Sequence, residues 1–184
     1  MVGRKCDAVW PAAVNSSGGF TLLETLAVAA VIVVLAAIAV LPAYRSYQAS
    51  RAAGDAAQTL AQDLSLAERV AQNGGPYQGA TLYVLSASPF SYEVRRGRPA
   101  QLDPRSSLGD VVVRRSFAGV GLSGGPIDGQ TPLLFADNGS AQFRAGGAWP
   151  DQHQTIELQL SPADHAENVV RVDLDLFSGA VSLP

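Results

Sequence analysis

Residues Gly19 to Leu41 read GFTLLETLAVAAVIVVLAAIAVL, an apolar run that contains a single charged residue, Glu24. As an α-helix, the 22 residues from Phe20 to Leu41 extend about 33 Å at about 1.5 Å per residue. The hydrocarbon core of a bilayer is about 30 Å thick, so this run is long enough to span a membrane. A charge inside such a segment costs about 2.5–3.5 kcal/mol on insertion scales, so Glu24 needs a partner or a place at headgroup level.

The order of residues from Gly19 to Glu24, GFTLLE, resembles the processing and assembly signature of type IV pilins and type II secretion pseudopilins. In that family a prepilin peptidase cuts after the glycine and methylates the new amino terminus. The resemblance therefore implies cleavage between Gly19 and Phe20, N-methylation of Phe20, and a role for Glu24 in filament assembly. The physics suits that role. A carboxylate is favoured near a helix N-terminus, and a neighbour's ammonium would offset its burial cost.

Residues 1–19 are then expected to be a prepilin leader. Arg4 and Lys5 place positive charge on the side that should face the cytoplasm. The leader is longer than the common family pattern. The alternative is an ordinary secretory signal, cut at the small residues from Ala37 to Ala39. An ordinary apolar signal region is shorter and has no need of Glu24, so the sequence favours the prepilin interpretation.

The composition fits an exported protein that does not depend on disulfides. The only cysteine, Cys6, lies in the leader, so the processed chain would contain no disulfide and no thiol-based site. From Tyr44 onward the chain has 11 arginines, no lysine and 14 acidic residues, a net charge of −3. That balance argues against a nucleic-acid surface, which usually shows a basic excess. The 141 residues from Tyr44 to the end suffice for one domain with a real core.

The helical pattern continues beyond the apolar run. Pro42 removes one backbone donor and is expected to kink the helix. Apolar residues then recur at three- and four-residue intervals as far as about Gln72: Ala53, Ala56, Ala57, Leu60, Ala61, Leu64, Ala67 and Val70. The sequence from Asn73 to Pro76, NGGP, ends the helix. A separate amphipathic helix after a linker is the alternative, but no linker composition divides the two halves.

The rest of the chain has a β pattern, with alternation over 155–160 and 170–176. Predicted strands are Thr81–Leu85, Ser91–Arg96, Val111–Ser116, Leu133–Ala136, Gln142–Arg144, Thr155–Leu160, Val169–Leu176 and Ala180–Leu183. Asp137–Ser140 and Ser178-Gly179 are expected to form hairpin turns. Two Gly-, Pro- and Ser-rich segments, Gly97–Asp110 and Gly119–Gly129, are expected to be loops.

These patterns predict an α+β, pilin-like fold, in which a long N-terminal helix packs on an antiparallel β-sheet domain. The expected organisation is a leader over 1–19, a transmembrane half of the helix over 20–43, an amphipathic half over 44–75, and a β-rich domain over 76–184. The segment Leu134–Ser140 and the hairpin around Ser178-Gly179-Ala180-Val181 resemble the end of H-type minor pseudopilins (GspH) and of the related FimT-type minor pilins. In those proteins a final hairpin closes the sheet.

The sequence contains no recognisable catalytic constellation. His153 and His165 lie in polar, loop-like sequence without an HExxH motif, and we expect both to be exposed loop residues. Nucleophile-elbow and phosphate-loop motifs are absent as well. The one basic cluster, Arg95-Arg96-x-Arg98, is expected to be a solvated strand end, because Glu93, Asp103 and Asp110 lie nearby in sequence. We therefore expect no enzyme activity, no catalytic residue, no metal and no cofactor.

The resemblance implies a minor pseudopilin of a type II protein secretion system. Such a subunit is a single-pass protein of the inner membrane, with its C-terminal domain in the periplasm. Its implied partners are the prepilin peptidase, other major and minor pseudopilins that pack helix to helix in the filament, and the inner-membrane secretion platform. A nucleic-acid partner is not expected. The alternatives are a FimT-like minor pilin, acting in pilus priming or DNA uptake, and a membrane-anchored periplasmic enzyme.

Overall fold

The computed structural model of the chain describes residues 21–73, 79–98, 108–127, 131–143 and 154–184. The chain divides into two compact units, Met1–Pro42 and Ala43–Pro184. One helix, α1, contributes residues to both units, and all of the described β-structure belongs to the second.

Helix α1 runs from Leu22 to Gln72 and has 51 residues. It includes Pro42, which costs the helix one backbone hydrogen bond but does not end it. At the C-terminal end, the backbone N–H of Asn73 donates to the carbonyl oxygen of Arg69 at 3.1 Å, and the Asn73 side-chain amide donates to the same oxygen at 2.9 Å. The long helix predicted from the sequence is therefore confirmed, and a linker between two separate helices is not found.

Nine strands form two antiparallel sheets in the part of the chain that the structure describes. Their bounds are β1 Ala80–Ala87, β2 Phe90–Arg96, β3 Val111–Phe117, β4 Val120–Gly124, β5 Leu133–Phe135, β6 Ala141–Phe143, β7 Thr155–Pro162, β8 Val170–Asp175 and β9 Val181–Ser182. The first sheet has the strand order β3-β2-β1-β5-β6, and the second has the order β4-β7-β8-β9. All eight predicted strands are present, and no strand end differs from its predicted position by more than two residues.

One sequence-based expectation is wrong. The segment Gly119–Gly129 was expected to be a loop, but it contains β4, which pairs with β7 in the second sheet. Gly119 adopts φ 75°, a left-handed conformation that lets the chain turn between β3 in one sheet and β4 in the other. Val120 is buried, whereas the glycines and serine around it carry little strand propensity. Pairing with the distant strand β7 therefore makes this segment a strand, although its local composition favours a loop.

A single hydrophobic core joins the second part of α1 to inward-facing side chains of both sheets. The helix contributes Ala56, Ala57, Leu60, Leu64, Ala67 and Ala71, all at most 1% exposed. The predicted apolar stripe is confirmed at most of its positions. Ala61 and Val70 are only half-buried at its border, and Ala71 is buried instead.

Both predicted hairpin turns are confirmed. Asn138 accepts hydrogen bonds from the backbone N–H and the hydroxyl of Ser140, at 3.1 and 2.8 Å, in the turn between β5 and β6. Gly179, in the turn between β8 and β9, has φ 70°. A Cβ at Gly179 would overlap the carbonyl oxygen of Gly139 in the first turn, so this close approach requires a glycine.

Candidate functional site

The predicted processing site lies at the edge of what the structure describes. Gly19 and Phe20 fall outside the described residues, as does the leader over 1–19. Cleavage after Gly19 and methylation of Phe20 therefore stay predictions. The first described residue is Thr21, which directly precedes α1.

Thr21 caps the start of the helix. Its hydroxyl oxygen accepts a hydrogen bond from the backbone N–H of Glu24 at 3.3 Å, and its carbonyl oxygen accepts from the backbone N–H of Thr25 at 3.1 Å. A threonine at this position satisfies one of the N–H groups that the first turn of any helix leaves unpaired. The helix therefore has its own start signal, one residue beyond the predicted amino terminus Phe20.

Glu24 lies in the first turn of α1 and is exposed to solvent. Its carboxylate makes no hydrogen bond or ion pair with any residue that the structure describes. The spacing Thr21-x-x-Glu24 is that of a capping box, in which the glutamate would contact the backbone N–H of the cap residue. Only the threonine half of that motif is present here, so the Glu24 carboxylate is available to an external cation.

The first part of α1 exposes an extensive apolar surface. Every residue from Thr21 to Arg45 is exposed, including Leu23 at 80% and Val33 at 67%. The helix is long and apolar enough to cross a membrane, and none of its most apolar stretch is buried by the protein. Monomeric soluble proteins rarely expose contiguous apolar patches larger than a few hundred Å². The segment is therefore consistent with single-pass membrane anchoring.

Two exposed tyrosines follow the apolar run. Tyr44 is 57% exposed and Tyr47 is 63% exposed, and the cationic Arg45 lies between them. Tyrosine is enriched at the membrane–water interface, because its ring is apolar and its hydroxyl is polar. The order of residues after Pro42 is thus consistent with an interfacial zone at the end of a membrane span.

A buried polar contact joins α1 to the first sheet, and the sequence analysis missed it. Asp63, only 4% exposed, accepts a hydrogen bond from the hydroxyl of Tyr92 at 2.9 Å and one from Nε of Arg115 at 3.0 Å. Asp63 lies three residues after Leu60 and four before Ala67, so its spacing places it on the buried stripe. A carboxylate on an otherwise apolar stripe could have indicated this contact, because a buried charge needs a hydrogen-bonding or ionic partner.

The ionisation of this contact follows from its surroundings. Burial, the charge of Asp63 and the hydrogen bond to it raise the pKa of Tyr92 well above its ordinary value. The hydrogen bond to Asp63 raises the pKa of Arg115 as well. Tyr92 therefore stays a neutral donor and Arg115 a cation, so the contact fixes the register of the helix on the sheet at neutral pH.

The basic cluster of β2 is only partly neutralised. Glu93, whose side chain is 1% exposed, accepts hydrogen bonds from Nε of Arg95 at 2.8 Å and from Nε of Arg114 at 3.1 Å. Burial by itself would raise the pKa of Glu93, but the hydrogen bonds from these two arginines hold it below its ordinary value. Arg98 lies 3.8 Å from a carboxylate oxygen of Asp137. Arg96 has no such partner among the described carboxylates.

The described part of the chain contains one histidine, His165, which is half-buried in the segment between β7 and β8 and not fully exposed as expected. Nδ1 of His165 lies 3.2 Å from a carboxylate oxygen of the exposed Glu167, and His153 lies outside the described residues. Over 21–73, 79–98, 108–127, 131–143 and 154–184, no group of three or more His, Cys, Asp or Glu side chains is placed to hold a metal ion.

The chain matches no protein-family model, no curated protein and no solved structure. Its function therefore has to be inferred from the GFTLLE motif, the exposed apolar part of α1 and the fold of the second unit.

Proposed function

We propose that this protein is a filament subunit of the pilin type, specifically a minor pseudopilin of a type II secretion system. The observation that carries the proposal is the beginning of α1. There, a helix capped by Thr21 presents the carboxylate of Glu24, which pairs with no described residue, at the start of an entirely exposed apolar segment. This is the place where cleavage after Gly19 would create a new amino terminus at Phe20.

In this proposal, each part of α1 has its own role. The part up to Leu41 anchors the subunit in the inner membrane and later packs against neighbouring helices in the filament. The cationic amine of Phe20 on one subunit neutralises Glu24 on its neighbour, because neither charge is stable alone in an apolar core. The part from Ala53 to Ala71 holds the β-structured domain, which would lie in the periplasm. The partners are a prepilin peptidase, other pseudopilins and the inner-membrane secretion platform.

A FimT-like minor pilin of type IV pili is the second candidate, since it would share the processing site and the anchor. Charge favours the secretion role over DNA uptake. The chain carries a net charge of −3, and residues 172–184 contain Asp173 and Asp175 but no arginine or lysine. A surface that captures DNA would instead concentrate arginine or lysine. We propose no enzymatic activity.

Replacing Glu24 by Ala tests the role of its carboxylate. The variant should still insert in the membrane and still be processed, because alanine makes the segment a better span. Its crosslinking to other filament subunits should fall at least about tenfold, which corresponds to a loss of about 1.4 kcal/mol. Asp55→Ala is the matched control, since it removes an exposed carboxylate from the same helix beyond the apolar run. Equal crosslinking of Glu24→Ala and wild type would overturn the assembly role.

A further inference from the structure

The described arginines fall into two groups. Five lie within 4 Å of a carboxylate: Arg95, Arg98, Arg114, Arg115 and Arg171. Four have no carboxylate partner among the described residues: Arg45, Arg51, Arg69 and Arg96. Arg45 and Arg51 lie on α1 shortly after the membrane segment. Arg69 and Arg96 come from different elements of the fold, yet they line the same groove.

This groove lies between the last turns of α1 and the end of β2. Its volume is about 280 Å³, and it is lined by Leu66, Arg69, Val70, Asn73 and Arg96. Leu66 and Val70 are half-buried and supply apolar surface to the same groove. The groove is open to solvent, so side chains of a partner could enter it.

The two arginines retain most of their donor capacity. Nε of Arg69 donates to the carbonyl oxygen of Ser65 at 3.3 Å, and no described residue accepts from its terminal nitrogens. The backbone of Arg96 is fixed on both sides. Its N–H donates to the carbonyl oxygen of Asp110 at 3.2 Å, and its carbonyl accepts from the N–H of Gly109 at 2.8 Å. No described residue accepts from the Arg96 guanidinium.

Of the two arginines in the groove, only Arg69 has a position that the fold itself favours for a cation. Arg69 lies in the last turn of α1, where a cation interacts favourably with the helix dipole. Arg96 ends a strand, so that explanation does not apply to it. The neighbouring Arg95 and Arg114 differ from Arg96, because both form ion pairs with Glu93. Two guanidinium groups that pair with no described carboxylate, in one groove with apolar side chains, are suited to bind a segment that carries both carboxylates and an apolar side chain.

We propose that this groove docks a short acidic segment of a neighbouring filament protein. Two carboxylates of the segment pair with Arg69 and Arg96, and an apolar side chain between them packs on Leu66 and Val70. The inference rests on the proposed function, which supplies a neighbour. A two-residue basic site is too small for nucleic acid, whose binding requires an extended basic stripe.

The test uses the full chain in lipid nanodiscs and a fluorescent peptide, capped at both ends, of sequence Glu-Leu-Asp-Leu-Glu. At low ionic strength the peptide should bind, and binding should weaken as salt rises. Arg69→Gln and Arg96→Gln should each weaken binding up to about fivefold, as expected for exposed charge pairs, and the double variant further. Arg51→Gln is the matched control, because it removes an exposed, unpaired arginine from the same helix, and it should leave binding unchanged.

Several outcomes would overturn the proposal. If Arg51→Gln weakened peptide binding as much as the groove variants do, the attraction would be non-specific. If the uncharged peptide Gln-Leu-Asn-Leu-Gln bound equally well, the groove would not recognise carboxylates. Equal competition by inorganic phosphate would reduce the groove to a simple anion site. Tighter binding of a single-stranded oligonucleotide would identify a nucleic-acid surface. Self-association that depends on both arginines would make a second copy the occupant. Processing at Phe20 and assembly through Glu24 are measured separately, so either proposal can fail alone.

Discussion

The two parts of α1 differ in what surrounds them, although they belong to one helix. From Leu22 to Leu41, the helix is exposed on all sides and is apolar apart from Glu24 and Thr25, with leucine, isoleucine and valine prominent. From Ala53 to Ala71, only one stripe is buried, and it consists mostly of alanine. The exposed apolar surface of the first part is consistent with an apolar environment such as a membrane, whereas the second part packs on sheets of the protein itself.

This difference shows where the stability of the second unit originates. Alanine side chains let the helix approach the sheets closely, but each buries little apolar area. Leu60 and Leu64, both fully buried, therefore provide much of the hydrophobic contact that the helix contributes. The Asp63 contact with Tyr92 and Arg115 adds specificity of register. None of these features is needed in the first part, where lipid or neighbouring helices would surround the side chains.

The largest effect is expected from a charge on the buried stripe. Leu60→Asp would place an unpaired carboxylate in the core, at a cost that rivals the whole stability of a domain, about 5–15 kcal/mol. Gln62→Asp adds the same group at an exposed position two residues away and should leave stability nearly unchanged. Thermal melting followed by circular dichroism distinguishes them. If both variants melted like wild type, the packing of α1 on the sheets would be wrong.

A matched pair of truncations compares the two parts of the helix directly. Leu60→Ala should reduce the free energy of unfolding of the β-structured unit by about 2–5 kcal/mol, because it leaves a cavity. Leu35→Ala removes the same atoms from a residue that is 61% exposed, so it should leave that unfolding transition unchanged. Denaturant titration of both variants in detergent micelles provides the measurement. A similar loss for Leu35→Ala would contradict the contrast between the two parts.

A smaller effect is expected at the polar contact. Tyr92→Phe removes the hydroxyl that donates to Asp63 but leaves the Arg115 hydrogen bond in place, so the cost should be about 1.5–3 kcal/mol. The raised pKa of Tyr92 means that wild type should lose stability as the pH rises above about 10, because the unfolded chain then ionises. That alkaline loss should be smaller in Tyr92→Phe. Parallel profiles of stability against pH would show that Tyr92 does not contribute to it.

The smallest effect concerns acid. The folded pKa of Glu93 lies below its ordinary value of 4.5, so its contribution to stability is present above that pH and is lost as the pH falls. Glu93→Gln should therefore flatten the decline in melting temperature below about pH 4.5. Asp55→Asn, at an exposed carboxylate of α1, serves as the control. An unchanged acid profile of Glu93→Gln would show that its two arginine contacts contribute no net stability.

Much of the fold could be predicted because its patterns are local. The helix has a three- and four-residue period, and strands such as β7 alternate between buried and less buried positions. Strand β4 could not be predicted, since its Gly-rich sequence becomes a strand only by pairing with β7. The division of the strands into two sheets likewise depends on contacts between distant segments.

The candidate site divides in the same way. The apolar segment and the single charge within it, Glu24, could be recognised from the sequence because both are visible within a short stretch of residues. The role of Asp63 requires Tyr92, 29 residues away, and Arg115, 52 residues away. The groove between Arg69 and Arg96 also joins separate elements. The basic cluster from Arg95 to Arg98 looked like a uniform solvated strand end, but its members have different partners.

The measurement that tests the central proposal most directly is the chemical identity of the amino terminus of the membrane-bound protein. The full chain would be expressed with a prepilin peptidase, extracted from membranes and analysed by mass spectrometry. We predict a chain that begins at N-methylated Phe20 and retains the apolar segment to Leu41, whereas Gly19→Val keeps its leader. An intact leader in the wild-type protein, or a chain cut near Ala39 and released from the membrane, would contradict the pilin-type assignment.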